Sequence, residues 1–342
     1  WRLNVFVRSS WRVSKMFRES LVDKTLLVTG GAGFIGSHLV DRLIAEKANK
    51  VIAMDSMFLG SESNLESATK QGAHLIKDDI EFKSSLEYVL NSEKIDIVFN
   101  CATKALNYSF VNPSNAFNTN INGILNLLEF QRQGLFESLC HFSTSEVYGT
   151  AIYEPMDEKH PKNPTTLYAA GKAAADLALE SYVQMFDLDA FIVRPFNNYG
   201  PRQNYRGYMA GVIPITAYRI LSGEKPEIHG NGLQSRDFIY VHDTVDAITK
   251  AFSLLKKGEA INVSTNNSIS MNELIHKIAK FYNYKGEVDN KPERGADVLC
   301  HNASNKKIKE LIEYNLTNFD EGLEHTLQWY KELLASKSSI ND

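Results

Sequence analysis

The stretch Thr25-Leu26-Leu27-Val28-Thr29-Gly30-Gly31-Ala32-Gly33-Phe34-Ile35-Gly36 decides the fold. A short apolar strand, Thr25 to Thr29, runs straight into glycines at 30, 33 and 36, and a helical pattern then starts near Phe34 and continues through His38, Leu39 and Leu43. The glycine spacing alone is a weak signal, but between a strand and a helix each glycine has a physical reason. Gly30 allows the tight turn, Gly33 lets the backbone approach a pyrophosphate, and Gly36 lets the helix close on the sheet. The helix N-terminus, with Phe34 and Ile35 in its first turn, offers amide donors and a partial positive charge. Nineteen residues beyond Gly36, Asp55 stands at the end of the next β-branched run. A carboxylate there accepts hydrogen bonds from both ribose hydroxyls and repels a 2′-phosphate, and Met54-Asp55-Ser56-Met57 holds no Arg or Lys, so the expected cofactor is NAD rather than NADP. Asp79-Ile80, after the third strand, is placed to contact the adenine, although Asp79 reads equally well as a helix cap, and Ala102 belongs to the same expected cofactor wall.

Working outward, further strand-like runs fall at Val51 to Met54, Ala73 to Ile76, Ile95 to Asn100, Leu139 to Thr144 and Ala190 to Pro195, with helical stretches between most of them. Strands alternating with helices imply α/β architecture: a Rossmann-type doubly wound parallel sheet covered on both faces. After about residue 195, Pro201, Pro214 and Pro226 break the chain into shorter pieces, including Lys225 to Gly230, Asp237 to Val241 and Ala260 to Val263, before helical patterns return at Ser270 to Tyr284 and Phe319 to Ser336. The expected organisation is a basic extension at 1–22, an NAD-binding domain at 23–195 with returning segments from the second half, and a smaller α/β substrate lobe mainly within 196–338.

The 342 residues are long enough to bury a sizeable core, and a net charge of −4 offers no field to recruit nucleic acid or an anionic membrane. No apolar run approaches the length of a membrane span. Cys101, Cys140 and Cys300, without paired spacing, suit reduced thiols and a cytosolic setting better than a disulfide framework, and the nine His residues form no HxH or HExxH pattern, so no metal is expected. Arg2, Arg8, Arg12, Lys15 and Arg18 precede any acid before Glu19, a composition that fits a transit segment, a surface arm or a loose extension.

Chemistry enters with Phe142-Ser143-Thr144-Ser145-Glu146-Val147-Tyr148-Gly149 at a strand end, followed by Leu167-Tyr168-Ala169-Ala170-Gly171-Lys172 in a helical stretch. Four residues apart, Tyr168 and Lys172 share a helix face, so the ammonium can lower the phenol's pKa and hold a cofactor ribose. A phenol near pKa 10 is a poor base at neutral pH, and a cation beside it moves it toward the phenolate that proton transfer needs.

With GGAGFIG at 30–36, STSEVYG at 143–149, YAAGK at 168–172, RPFNNYGPRQ at 194–203, HGNGLQSRDFIYVHD at 229–243 and RGAD at 294–297, residues 24 to 335 resemble the extended short-chain dehydrogenase/reductases, the group of nucleotide-sugar epimerases, 4,6-dehydratases and decarboxylases. The resemblance implies that Thr144 hydrogen-bonds the sugar O4, that Tyr168 takes the O4 proton and that the C4 hydride passes to NAD. It places Asn120 at a structural or cofactor-side position, Asn197, Arg202 and Arg236 near the substrate phosphates or sugar, and Arg294 and Asp297 near the nucleotide. It also implies a nucleotide-sugar partner, with a UDP-sugar preferred, and a homodimer. Thr144-Ser145-Glu146 bears on the reaction: simple 4-epimerases usually carry a small or hydroxyl residue at the third place, whereas a carboxylate there can remove the C5 proton once C4 is a ketone. Glucose-type dehydratases resemble Thr-Asp-Glu, with the Asp protonating the leaving hydroxyl, so Ser145 leaves the general acid open. The expectation is a 4,6-dehydratase acting on UDP-N-acetylglucosamine or a similar hexose; a 4-epimerase, a UDP-glucuronate decarboxylase and an NAD-binding sensor or scaffold remain as alternatives.

Overall fold

A computed structural model describes residues 16–293 and 302–338. Arg2, Arg8, Arg12 and Lys15, together with Arg294, Asp297 and Cys300, lie outside the described residues.

Strand β1 (Thr25–Thr29) is buried along its whole length, with Leu26 and Val28 in one core cluster and Leu27 in another on the opposite face. Burial on both sides is why the strand reads as a continuous apolar run rather than an alternating one. In chain order it is followed by α1 (Phe34–Ala45), β2 (Lys50–Asp55), α2 (Glu66–Lys70), β3 (His74–Lys77), α3 (Lys83–Glu93), β4 (Ile97–Asn100), α4 (Pro113–Arg132), β5 (Ser138–Phe142), α5 (Leu167–Phe186) and β6 (Asp189–Pro195). The second half supplies β7 (Asn197–Tyr199), α6 (Val212–Leu221), β8 (Glu227–His229), β9 (Ser235–Arg236), β10 (Phe238–Tyr240), α7 (Val241–Ala251), β11 (Ala260–Val263), β12 (Ile269–Ser270), α8 (Met271–Phe281), β13 (Asp289–Lys291), α9 (Lys306–Leu311) and α10 (Phe319–Ser338).

Seven parallel strands form the main sheet in the order β11-β6-β5-β4-β1-β2-β3. The order reverses at the β1/β4 boundary, where the connections leave in opposite directions and open a crevice beyond the strand ends. α4 and α5 pack side by side on one face. Local chemistry starts both helices: Pro113 is the first residue of α4 and the Asn112 side chain accepts from the Asn115 amide at 3.2 Å, while Thr166 Oγ1 accepts from the Ala169 amide at 3.2 Å at the start of the alanine-rich α5. The second lobe is made of the strand pairs β7/β10, β8/β13 and β9/β12 with α6, α8 and α10, around its own core that includes Tyr199, Ile213, Tyr240, Leu274 and Tyr330.

Three placements differ from the sequence reading. Ala260–Val263 pairs with β6 and extends the main sheet, and α7 packs on α1, so the chain re-enters the first lobe here. Val241, read as a strand end, begins α7, because the buried series Val241, Val245 and Ile248 already has helical period. Thr144, read as the last strand residue, lies beyond β5, which ends at Phe142; its hydroxyl accepts from the Glu146 amide at 3.2 Å and turns the chain into a short 3₁₀ segment, Ser145–Tyr148.

The expected extension at 1–22 is also corrected at its last arginine. Arg18 is 8% exposed; its Nε donates to Asp189 Oδ2 at 2.8 Å, its Nη2 lies 2.7 Å from Asp189 Oδ1, and its Nη1 donates to the Phe252 and Leu255 carbonyls. The guanidinium sits 4.5 Å from the centre of the Phe191 ring. Arg18 therefore belongs to the folded body, anchored at the start of β6.

Candidate active site

A cavity of about 1010 Å³ runs from the glycine-rich turn, across the ends of β4, β5 and β6, into the second lobe. Its cofactor-side wall is largely backbone. Gly30 has a φ of +67°, and its amide donates to the Met54 carbonyl at 2.7 Å. A β-carbon on Gly30 would lie 2.8 Å from the Ala102 backbone, and one on Gly36 would lie 2.1 Å from the Gly30 carbonyl oxygen, so neither position admits a side chain. Gly33 precedes α1 with no side-chain cap, which leaves the helix start, Phe34 and Ile35, facing the cavity. Asp55, 7% exposed, accepts from the Ala32 amide at 3.0 Å and the Met57 amide at 2.8 Å; burial pushes its carboxyl up and these amides oppose the shift. Asp79, Ile80 and Ala102 line the same wall, and Asp79 also accepts from the Glu81 amide at 3.0 Å, so it caps its own turn and faces the cavity at once.

At the cavity's waist stand Thr144, Ser145, Glu146, Tyr168 and Lys172. The Lys172 ammonium is buried and donates to the Phe142 carbonyl at 2.7 Å, fastening α5 to the end of β5. Burial pushes the Tyr168 phenol up to about 12; hydrogen bonding with the Thr144 and Thr103 side chains opposes this, and the Glu146 charge adds to the rise. The side chains that hold the phenol down are those of the two threonines, while burial brings Lys172, one helical turn away, down to about 8. Asn120 serves the scaffold, accepting from Thr103 Oγ1 at 2.7 Å and donating to the Tyr168 carbonyl at 3.2 Å, which joins α4, α5 and the β4 loop.

The far wall is made by side chains, two of them held by residues distant in sequence. Asn197 donates to the Asp237 carbonyl at 3.2 Å, Arg236 donates to the Ser235 carbonyl at 2.9 Å, and Arg202, with a φ of +68°, pairs with Asp41 of α1 at 2.7 Å; all three line the cavity. Asp237, next to Arg236, accepts from the Thr265 amide and hydroxyl and the Asn266 amide, and burial raises it to about 6.

Several residues of the site carry no mark in the sequence reading. Thr103 follows a strand with nothing local to announce its contact with Tyr168. Lys104, 8% exposed, has its ammonium 4.2 Å from the Phe58 ring centre on the cofactor side, where a lone lysine after a strand gives no signal. Asp176 and Arg194 could have been found from their positions, one turn beyond Lys172 and at the end of an apolar strand, where a charge calls for a partner. Among the described residues no group of three or more His, Cys, Asp or Glu could hold a metal, no helix is long and apolar enough to cross a membrane, and Cys101 and Cys140 are free thiols.

A glycine turn at the switch point, an acid at the end of β2 and a Tyr/Lys pair on the helix after β5 define an extended short-chain dehydrogenase/reductase enzyme. Comparison with known proteins narrows this. Residues 27–326 match the family model described as GDP-mannose 4,6 dehydratase, and the chain belongs to that family of nucleotide-sugar dehydratases and epimerases. It is similar to dTDP-D-glucose 4,6-dehydratase of Homo sapiens, 33% identical over 320 residues covering 90% of each protein, and to UDP-glucose 4-epimerase of Mycolicibacterium smegmatis, 33% identical over 309 residues covering 89% of this chain and 98% of that one. Among solved structures it resembles the Thermotoga maritima UDP-glucose 4-epimerase with UDP-glucose, at 31% identity, a TM-score of 0.85 and coverage of 91% and 99%. The dTDP-glucose 4,6-dehydratase of Streptomyces venezuelae with NAD bound also has a TM-score of 0.85, at 28% identity and coverage of 91% and 98%.

Proposed function

We propose that this enzyme is an NAD-dependent nucleotide-sugar 4,6-dehydratase that converts UDP-N-acetylglucosamine, or a similar nucleotide hexose, to its 4-keto-6-deoxy form. The carrying observation is Glu146: it lines the same cavity as Thr144 and Tyr168, and lies close enough for its charge to act on the phenol. NAD, when bound, would supply hydride transfer for the C4 oxidation and the C6 reduction, chemistry that no side chain supplies. The fit for that cofactor is the cradle at Gly30 and Gly36, which a β-carbon would fill, the uncapped start of α1 and the Asp55 carboxylate.

In this reading the Thr144 hydroxyl and the Tyr168 phenol meet the sugar O4, and Tyr168 takes its proton as C4 is oxidised. The Glu146 carboxylate removes the C5 proton made acidic by the 4-ketone; the C6 hydroxyl leaves as water with a proton equivalent to the one lost from O4, and the Glu146 acid returns its proton to C5 as C6 is reduced. Ser145 stands where glucose-type dehydratases have an acid. Asn197, Arg202 and Arg236 face the diphosphate and sugar. The protein is expected to act as a homodimer, an assembly supported by the exposed Phe110 (57%) beside α4 and by Leu177 (55%) and Met185 (70%) on α5.

Ser145 favours a second reading, a 4-epimerase, because a hydroxyl is a poor donor to a leaving group, and the fold is as close to an epimerase as to a dehydratase. Mass spectrometry of products from a panel of UDP-, dTDP- and GDP-sugars with NAD separates these. Loss of one water supports the dehydratase; unchanged mass with a new chromatographic peak would make it an epimerase, and loss of carbon dioxide from UDP-glucuronate a decarboxylase.

A further inference from the structure

Lys172 is 1% exposed and hydrogen-bonds the Phe142 carbonyl. A buried ammonium keeps its proton only if a nearby charge opposes the loss of solvent. Titratable groups come to it from every packed element: Tyr168 and Asp176 from α5, Cys101 from the end of β4, His141 from β5 and Arg194 from β6, the last through Asp176. Burial pushes the Cys101 thiol up and the His141 imidazole well down, and holds the Tyr168 phenol at about 12, so all three are uncharged at neutral pH. The remaining acid is Asp176, fully buried one helical turn beyond Lys172; burial pushes its carboxyl up, and the Arg194 cation and the Ser143 side chain oppose that rise.

Asp176 is itself fixed with care. Arg194, 1% exposed, reaches its Oδ2 through Nε at 3.0 Å and Nη2 at 2.9 Å. The remaining guanidinium nitrogen donates to the Tyr148 hydroxyl at 2.9 Å, and that hydroxyl donates to Asn262 Oδ1 of β11 at 2.7 Å. An ion pair this deep is a poor way to gain stability, since well-packed apolar residues of similar volume often do as well or better. Its location, behind the lysine of the reacting pair, gives it another use. The geometry points to Asp176, clamped by Arg194, as a positioning residue that keeps Lys172 protonated and aimed at the end of β5, and so sets the upper edge of the enzyme's working pH range. The inference rests on the proposed pairing of Lys172 with Tyr168, but not on which sugar reaction follows.

Two changes of opposite sign test it. Asp176→Asn leaves Lys172 beside the uncompensated Arg194 cation, whereas Arg194→Gln leaves it beside an unclamped carboxylate. Lysine side-chain NMR titration of the isotopically labelled protein, with the Lys172 resonance identified by its loss in Lys172→Met, reads the ammonium directly and without substrate. The expected inflection falls by about one pH unit or more in D176N, rises in R194Q and stays near the parent in D176E. With whichever sugar turns over, the alkaline limb of kcat/KM moves the same way, whereas a merely structural role would lower activity equally at all pH. If D176N fails to fold, the sign of the R194Q shift decides. A folded D176N or R194Q whose Lys172 inflection coincides with the parent's overturns the inference, while failure to find the sugar product would count against the proposed reaction and leave the titration standing.

Discussion

On the cofactor side of the cavity, Gly30, Gly33, Gly36 and Asp55 come from one strand–helix–strand unit and act through backbone shape and amides. Across the cleft, Asn197, Arg202 and Arg236 depend on Asp237, Asp41 and the strand pair β9/β12, partners that the chain brings together from far apart. The contrast shows two ways of specifying a site. Local backbone geometry is written into a dozen adjacent residues and tolerates no added atom; a wall of side chains depends on long-range packing and can change one residue at a time. Tyr168 and Lys172 sit where the two meet.

Removing chemistry at that meeting point should have the largest effect. Tyr168→Phe is expected to lower kcat by about 10⁴, the upper end for lost acid–base catalysis, while NAD affinity and melting temperature stay near the parent's. A variant that keeps one-tenth of its turnover would show that the phenol is not the base.

Glu146→Gln should divide the reaction, lowering water loss by about 10³ through the absent C5 base while C4 oxidation, seen as reduced-cofactor absorbance, persists. Equal loss of both steps would instead make Glu146 a supporting acid. Gly36→Ala tests the backbone wall alone: forcing a β-carbon against the Gly30 carbonyl should weaken NAD binding by about 10²-fold, of the order of the overpacking cost, and calorimetric titration would measure it. Arg236→Ala tests the opposite wall and should raise KM for the nucleotide sugar by about tenfold, the size of one charge-assisted hydrogen bond, with NAD affinity unchanged. If the Gly36 and Arg236 variants affected both ligands alike, the two walls would not be independent.

The same contrast explains what the sequence made legible. Six of the seven strands of the α/β sheet follow from apolar runs alternating with helical patterns, and the cofactor wall from glycines whose spacing has steric meaning within one βα turn. Tyr168 and Lys172 were readable because a four-residue helical spacing determines that they share a face. Thr103 and the return of Ala260–Val263 to the main sheet were not, since each depends on residues tens of positions apart meeting through tertiary packing; Asp176 and Arg194 were legible only as charges in apolar surroundings that call for partners, not as partners of each other. Arg18 was misread for the same reason: local composition makes it part of a basic arm, and only Asp189, Phe191 and the Phe252 carbonyl make it a buried anchor.

The course of the chain after β6 has a consequence for engineering. β7 to β10 build the second lobe, α7 and β11 return to the first, β12 to β13 cross over again, and α9 packs on β11 before α10 closes the second core. The lobes are interleaved rather than strung in series. A substrate lobe transplanted from a relative as one contiguous cassette would carry away the sheet's edge strand, and with it Asn262, the last member of the hydrogen-bond chain behind Asp176. New sugar specificity is therefore better sought by exchanging individual loops between fixed strands than by shuffling whole modules.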